Sequence, residues 1–326
     1  MPGTIKILGT RCMNSSQTES TGAQIKRQIS LPTCFLLVAL LSLFSHRYTA
    51  GQEQLPLSDQ LVGGEFPYVV QKGDSLTGIG ARFGIGAGYL EAINDLSASQ
   101  VLKIGQQLRI DNRHIVPAIT NDGIVINIPQ RMLFHFNEAR LRRAFPVGLG
   151  RHDWPTPTGS FKIVVKEENP TWDVPKSIQE EMQREGKAVK TCVPPGPDNP
   201  LGQHWLGLSI GGYGIHGTIA PGSIYQFQTH GCIRAHPDDV AELFEEVSRG
   251  TPVIIVYRRL MLADINGKIY LEVHRDIYKK APDVHAQFDH LLRALNLESK
   301  VDRVLAADII REQGGIAREI GRKNSR

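Results

Sequence analysis

Thr229-His230-Gly231-Cys232-Ile233-Arg234, with Ile215-His216-Gly217-Thr218 just upstream, is the stretch that decides how this chain is read. It puts a thiol, two imidazoles, two glycines and a guanidinium into a short span. A cysteine attacks as thiolate, so a base must take its proton or its environment must lower its pKa. Histidine is the usual base near neutral pH. His230 stands two residues from Cys232, but Gly231 between them interrupts regular strand geometry. His216 is distant in sequence and would reach the thiol from a neighbouring strand or loop, with Gly217 letting the backbone come close. His216 is therefore read as the base, and His230 as an orienting or oxyanion residue. The N–H groups of Gly231 and Cys232 are the natural donors to a developing oxyanion. Arg234 offers a planar fork for a carboxylate. Gly217 and Thr229 complete the expected substrate-binding set.

Two other readings of the same residues stay open. His216, His230 and Cys232, with His236, form a candidate zinc set, although His-x-Cys is not a familiar zinc pair. A buried cysteine and histidine without chemistry is the plainest reading.

Around this stretch the pattern is mostly β. Ile124–Ile128, Arg131–Phe136, Ala144–Val147, Phe161–Val165, Trp205–Ile210 and Val253–Tyr257 read as strands, separated by turn-rich Gly148-Leu149-Gly150 and Thr156-Pro157-Thr158-Gly159. Ser177-Ile178-Gln179-Glu180 reads as a capping box opening a helix to Arg184. Pro237–Val247 reads as a second helix, with Val240, Leu243, Phe244 and Val247 on one face. Between Glu167 and Gly202 lies a stretch rich in proline and asparagine whose Trp172 favours an ordered lid. After Arg275 the chain is charged and helical in pattern, with two apolar stripes that predict helices packed on the body or on each other.

Nearer the N-terminus, Tyr68–Val70 reads as a strand, Asp74 or Ser75 as a helix cap, and Leu108–Ile110 as a closing strand. The order strand, helix, helix, strand resembles a LysM module over residues 68–111. That resemblance implies binding of N-acetylglucosamine-containing glycans through Lys72–Thr77 and Asn94–Gly105, with Gly73, Asp74, Ser75 and Asn94 as candidate contacts. Gly78 and Gly80 are unusual inside its first helix, each costing about 1 kcal/mol against alanine.

His216-Gly217-Thr218 followed by Thr229-His230-Gly231-Cys232-Ile233-Arg234 resembles the signature of the YkuD family of L,D-transpeptidases, over about residues 123–275. Asn169-Pro170-Thr171-Trp172 and Pro197-Asp198-Asn199-Pro200-Leu201-Gly202 belong to the same resemblance. It implies a mainly β catalytic domain, a YkuD-like β-sandwich with a few helices and a lid. It also implies a cysteine that attacks the third residue of a peptidoglycan tetrapeptide stem and releases D-alanine. The acyl group then passes to an amine, either another stem's diaminopimelate or a lysine of an outer-membrane lipoprotein. No cofactor and no metal are implied. An L,D-carboxypeptidase, with water as acceptor, and a wall-binding protein without turnover are the competing functions.

The remaining features bound the setting. The 326 residues are 41% hydrophobic and 21% charged, with a net charge of +4. That composition is globular, and a charge this modest argues against a nucleic-acid partner. Lys26 and Arg27 before the apolar run Cys34–Phe44 read as a secretory signal within residues 1–50, or as an uncleaved inner-membrane anchor. The layout resembles periplasmic Gram-negative members. Residues 51–67 read as a linker, and 276–326 as a helical tail. Cys192 and Cys232, the cysteines beyond the signal, are candidates for a structural disulfide or a reversible one.

Overall fold

The computed structural model describes residues 57–97, 100–118 and 122–322. The expected signal lies outside the described residues. No helix among the described residues is long and apolar enough to cross a membrane.

The catalytic part is a sheet closed on itself. Its strands run in the order Phe227–Thr229, Arg140–Gly150, Ile233–Ala235, Gly214–His216, His204–Leu208, Gly159–Glu168, Pro252–Val256, Gly123–Asn127 and Met132–Asn137. The last of these pairs back onto Arg140–Gly150, with Leu133 opposite Phe145 and Met132 opposite Pro146. The expected mainly β catalytic domain is present, and one strand closes its sheet into a ring. Arg140–Gly150 is eleven residues long, and it serves Met132–Asn137 with its first half and Ile233–Ala235 with Val147 and Gly148. Closure leaves few unpaired edges.

Alternation along each strand sorts the side chains. Ile124, Ile126, Leu133, Val147, Leu206, Ile215, Ile233, Val253 and Ile255 fill the interior, together with Val240, Leu243 and Phe244 from the helix Pro237–Glu246. Val125, Met132, Phe134 and Phe136 face outward but are still buried, under Val116 and Tyr225. Strands covered on both faces lose the polar alternation of a half-exposed sheet, which is why Gly123–Asn127 reads as a continuous apolar run.

Several expected boundaries move. Residues 57–67 are not a linker: Leu61 and Val62 pair with Ile115 and His114, Ser58 bridges to Ala263, and Glu65 opens the first LysM strand. The tail is more than helices. Leu260–Ile265, Lys268–Val273 and Arg318–Glu319 form a separate three-stranded sheet, and helices Val284–Ala294 and Arg303–Glu312 pack on it through Phe288, Leu292, Ile309 and Ile310. Tyr257, Ile277 and Tyr278 still pack with the barrel core, so the chain returns to the barrel after this sheet begins. The lid helix spans Lys176–Arg184 with Pro175 at its N-cap and no side-chain cap, so Ser177 lies inside the helix and the capping box does not form.

The LysM unit has the expected strand–helix–helix–strand order, and Ser75 caps the helix Leu76–Phe83 by accepting from the Gly78 N–H at 3.0 Å. Gly80 is explained by packing: a Cβ there would lie 2.4 Å from the Ile85 carbonyl oxygen. The unit is built into the body. Ile316, from the C-terminal part, lies in its core. Beside it the Glu272 carboxylate, 0% exposed, meets His114 Nδ1 at 2.8 Å and His274 Nε2 at 2.8 Å. It also accepts from the N–H of Ile115 and from Gln130 Nε2. His114 Nε2 reaches the Gly84 carbonyl at the end of the first LysM helix. LysM, barrel and C-terminal sheet thus share one buried polar cluster.

Candidate active site

Strands Gly214–His216 and Ile233–Ala235 run parallel, with Ile215 opposite Ile233 and His216 opposite Arg234. Ile215 and Ile233 point into the barrel core. By the two-residue period of a strand, His216 and Arg234 share the opposite face, and Cys232, two residues before Arg234, enters on that same side. One cross-strand pair therefore assembles thiol, imidazole and guanidinium.

Cys232 sits over the turn at Gly212–Gly214, its Sγ 3.4 Å from the Gly212 carbonyl oxygen. Burial pushes its thiol pKa up, while a hydrogen bond from the Gly214 backbone and the charge of Arg234 pull it back. His216 is 4% exposed and lies 5.9 Å, centroid to centroid, from the Trp205 ring. Its Nδ1 is 2.6 Å from the Gly217 carbonyl oxygen. A carbonyl only accepts, so the proton sits on Nδ1. Burial first, and then Arg234, bring the His216 pKa down to about 4, so the ring is neutral at pH 7. Arg234 donates from Nη1 to Ser223 Oγ at 2.9 Å, and its Nε is buried without a partner. Burial lowers its pKa, and the neighbouring Cys232 opposes that shift.

Several expected residues prove to be supports. Thr229 is buried, and its hydroxyl donates to the Cys232 carbonyl at 2.6 Å and accepts from the Gly231 N–H at 3.1 Å. Thr229 thus shapes the loop. The Gly231 N–H is already engaged by that hydroxyl. Gly231 is needed for another reason: its φ is +101°, and a Cβ would lie 2.6 Å from the Tyr213 ring. Gly217 acts through its carbonyl on His216.

His230 Nε2 meets Glu181 Oε2 at 2.5 Å, while Arg151 holds the other Glu181 oxygen at 2.7 Å. Trp154 stands edge-on to the His230 ring at 4.2 Å. Hydrogen bonds from Arg151 first, and His230 second, keep the Glu181 carboxyl below its ordinary pKa. Glu181 lies on the lid helix, so His230 latches the lid to the catalytic loop. The lid is ordered, as expected. Trp172–Asp173 pairs with Cys192–Val193, and buried Asn199 donates to the Pro170 carbonyl at 2.8 Å and accepts from the Leu201 N–H at 3.0 Å. Glu181→Ala is expected to lower kcat/KM about tenfold by loosening this latch, with thermal stability almost unchanged. Steady-state kinetics beside a melting curve will check it; a large loss of stability would make Glu181 a structural residue only.

Cys192 and Cys232 are not bridged. His216, His230, Cys232 and His236 do not form a zinc set: no group of three or more histidine, cysteine or acidic residues placed to hold a metal occurs among the described residues. In the LysM unit, Asp74 accepts from the Tyr68 hydroxyl and the Gln71 N–H. Asn94 ties Leu90 to Arg109, and Ser75 is the helix cap. These three make internal bonds; Gly73, at φ +89°, leaves open space beside it.

Thr156, Tyr278, Glu181, Tyr213 and Ser223 were not singled out from the sequence. Thr156, fully buried, donates to the Gly231 carbonyl and accepts from the Gly150 N–H. Tyr278 donates to the Gly150 carbonyl at 2.6 Å. The Thr156-Pro157-Thr158-Gly159 turn was a visible signal for the first. Nothing local marks the others.

Residues 121–255 match the family model of the L,D-transpeptidase catalytic domain, YkuD, and residues 68–111 match that of the LysM domain. Among curated relatives, the chain is 32% identical over 235 residues to the probable L,D-transpeptidase YcfS of Escherichia coli, covering 70% of this chain and 73% of that protein. It is 32% identical over 228 residues to the probable L,D-transpeptidase ErfK/SrfK of Escherichia coli, covering 68% and 73%. Of solved structures, the catalytic domain of the E. faecium L,D-transpeptidase is 21% identical at a TM-score of 0.31, covering 42% of this chain and 98% of that one.

Proposed function

Because the chain belongs to the L,D-transpeptidase family, we propose that Cys232 is the nucleophile and His216 the base in acyl transfer on peptidoglycan stem peptides. The observation that carries this is the pairing of His216 with Arg234 on one strand face, beside Cys232 and next to the latched lid loop. The neutral His216 ring, its Nδ1 proton held by Gly217, has its Nε2 lone pair for the thiol proton. The thiolate adds to the carbonyl of the third stem residue. The C–N bond to the terminal D-alanine then breaks, and the amine leaves with the proton from His216. An acceptor amine attacks the thioester, gives a proton back through His216, and restores the thiol. With the Gly231 N–H engaged, the Cys232 N–H takes the oxyanion role. Arg234, short of an acidic partner, is suited to a carboxylate of the donor stem.

Peptidoglycan is the partner that the two domains imply. The periplasm as the site of action, cross-linking of one stem to another as the main reaction, and a lipoprotein lysine as alternative acceptor are parts of the same proposal. Incubation with purified disaccharide-tetrapeptide, followed by mass spectrometry, tests it. D-Alanine release with cross-linked dimers is expected. Tripeptide alone would make water the acceptor, and no release would overturn the reading.

His216 also sets the expected pH dependence. Its pKa is lowered to about 4, so the base form persists down to mildly acidic pH and is lost only as pH falls through that value. kcat/KM is expected to show no acid limb near pH 6.5. A limb at that ordinary histidine value, abolished by His230→Ala and kept in other variants, would reverse the two histidine roles.

A further inference from the structure

The acyl transfer proposed above needs two substrates, and the face around Cys232 accounts for the donor. A second recess lies elsewhere on the molecule. It is a groove of about 1000 Å³ between the LysM helix Ala87–Ile93, the strand Phe227–Thr229 and the C-terminal turn at Gln313–Gly315. Five arginines line it against two carboxylates, so it is cationic. Three of the five are satisfied: Arg109 by Glu65, Arg113 by Asp111, and Arg318 by Glu312.

Two are not. Arg275 is exposed on the wall and makes no hydrogen bond or ion pair among the described residues. Arg131 lies 3.8 Å over the Tyr225 ring and donates to the Tyr225 carbonyl, but its Nε is buried without a partner and no carboxylate pairs with it. A guanidinium stacked on an aromatic ring and short of an anion is a prepared carboxylate site. Gln226 and Gln228 in the same groove lead directly into Thr229, whose hydroxyl holds the Cys232 carbonyl. The groove and the catalytic loop thus share the strand Phe227–Thr229.

We propose that this groove binds the acceptor stem peptide through its carboxylates, with Arg275 and Arg131 as the anion-recognising pair. The inference rests on the transpeptidase reading for the identity of the ligand. Its LysM wall favours a ligand carried on a glycan strand over a free protein segment.

The test is a titration on Cys232→Ala protein, which needs no turnover. The probes are the free tripeptide stem, the same stem with its carboxylates amidated, and an acidic lysine-bearing peptide. Amidation and Arg275→Glu are each expected to weaken stem binding about fivefold, and together to do no more than either alone. Arg311→Glu, a charge reversal outside the groove, is expected to change nothing. With Cys232 intact, Arg275→Glu is expected to lower the ratio of cross-linked dimer to hydrolysed tripeptide by a similar factor. Equal binding of the amidated stem, indifference to Arg275→Glu, or Arg275-dependent binding of the lysine peptide alone would overturn the proposal. Arg275-dependent stem binding in a protein that never forms dimers would leave the groove standing and sink the transpeptidase reading instead.

Discussion

Replacing Cys232 by alanine is expected to cut D-alanine release on the order of 10⁴-fold or more while leaving the fold in place. The sulfur of the thiol bonds to backbone, the Gly212 carbonyl at 3.4 Å and the Gly214 backbone, and the loop that carries it is held by other groups. Thr229 holds the Cys232 carbonyl, Thr156 holds that of Gly231, and Tyr213 fills the space beside Gly231. None of these depends on sulfur. Cys232→Ser is expected to be nearly as inactive, because a hydroxyl ionises far less readily than a thiol in a site that already raises the thiol pKa. Release measured by coupled D-amino-acid detection, beside an unchanged melting curve, checks both variants. Persistent release would remove Cys232 from the mechanism.

The second large effect is on stability. Glu272→Ala is expected to destabilise the protein by about 3–5 kcal/mol, because it strips a fully buried charge from its partners. His114, His274, the Ile115 N–H and Gln130 would all lose an acceptor at once. Burial alone would raise the Glu272 pKa, but His114 and His274 overcome it and bring it down to about 2 from an ordinary 4.5. The sign follows from linkage. A depressed carboxyl contributes stability that is fully present above the unfolded value and lost as pH falls toward the folded one. Acid unfolding of the native protein is thus expected to steepen between pH 4.5 and 2, and the variant to lack that component. Chemical denaturation across pH measures it. A loss under about 1 kcal/mol would show the cluster to be dispensable.

That cluster also changes what removal of the LysM unit does. From sequence, residues 68–111 resemble a LysM module. In the structure His114 and Gly84 join it to Glu272, and Ile316 fills its core. Deletion would open this junction and weaken the catalytic body along with glycan binding.

The sequence carried the chemistry and the strands better than the supports. Cys232, His216 and Arg234 stand out as candidates because a nucleophile, a base and a cation must be particular residue types, and their neighbouring glycines mark close approaches. The strand Gly123–Asn127 and the helix Pro237–Glu246 were legible from periodicity. The three-residue strands Gly214–His216 and Ile233–Ala235 are too short to show a period. Glu181 lies 49 residues from His230, and Tyr278 lies 128 from Gly150, so only the folded chain brings them together. The internal bonds of Thr229 and the Gly231 N–H were not legible for one reason: a polar group beside a nucleophile looks equally suited to substrate and to its own backbone.

The bridge from Ser58 to Ala263, and the pairing of Leu61–Val62 with Ile115 beside Met261 and Ala317, interlace the first described residues with the last. A chain threaded this way has little to gain from folding piecemeal. The segment Ser58–Val62 has no finished neighbour until Ala263 and Ala317 have been delivered, and closing such distant pairs is slow. Such a chain stays unfolded for longer after synthesis than one whose modules complete in turn.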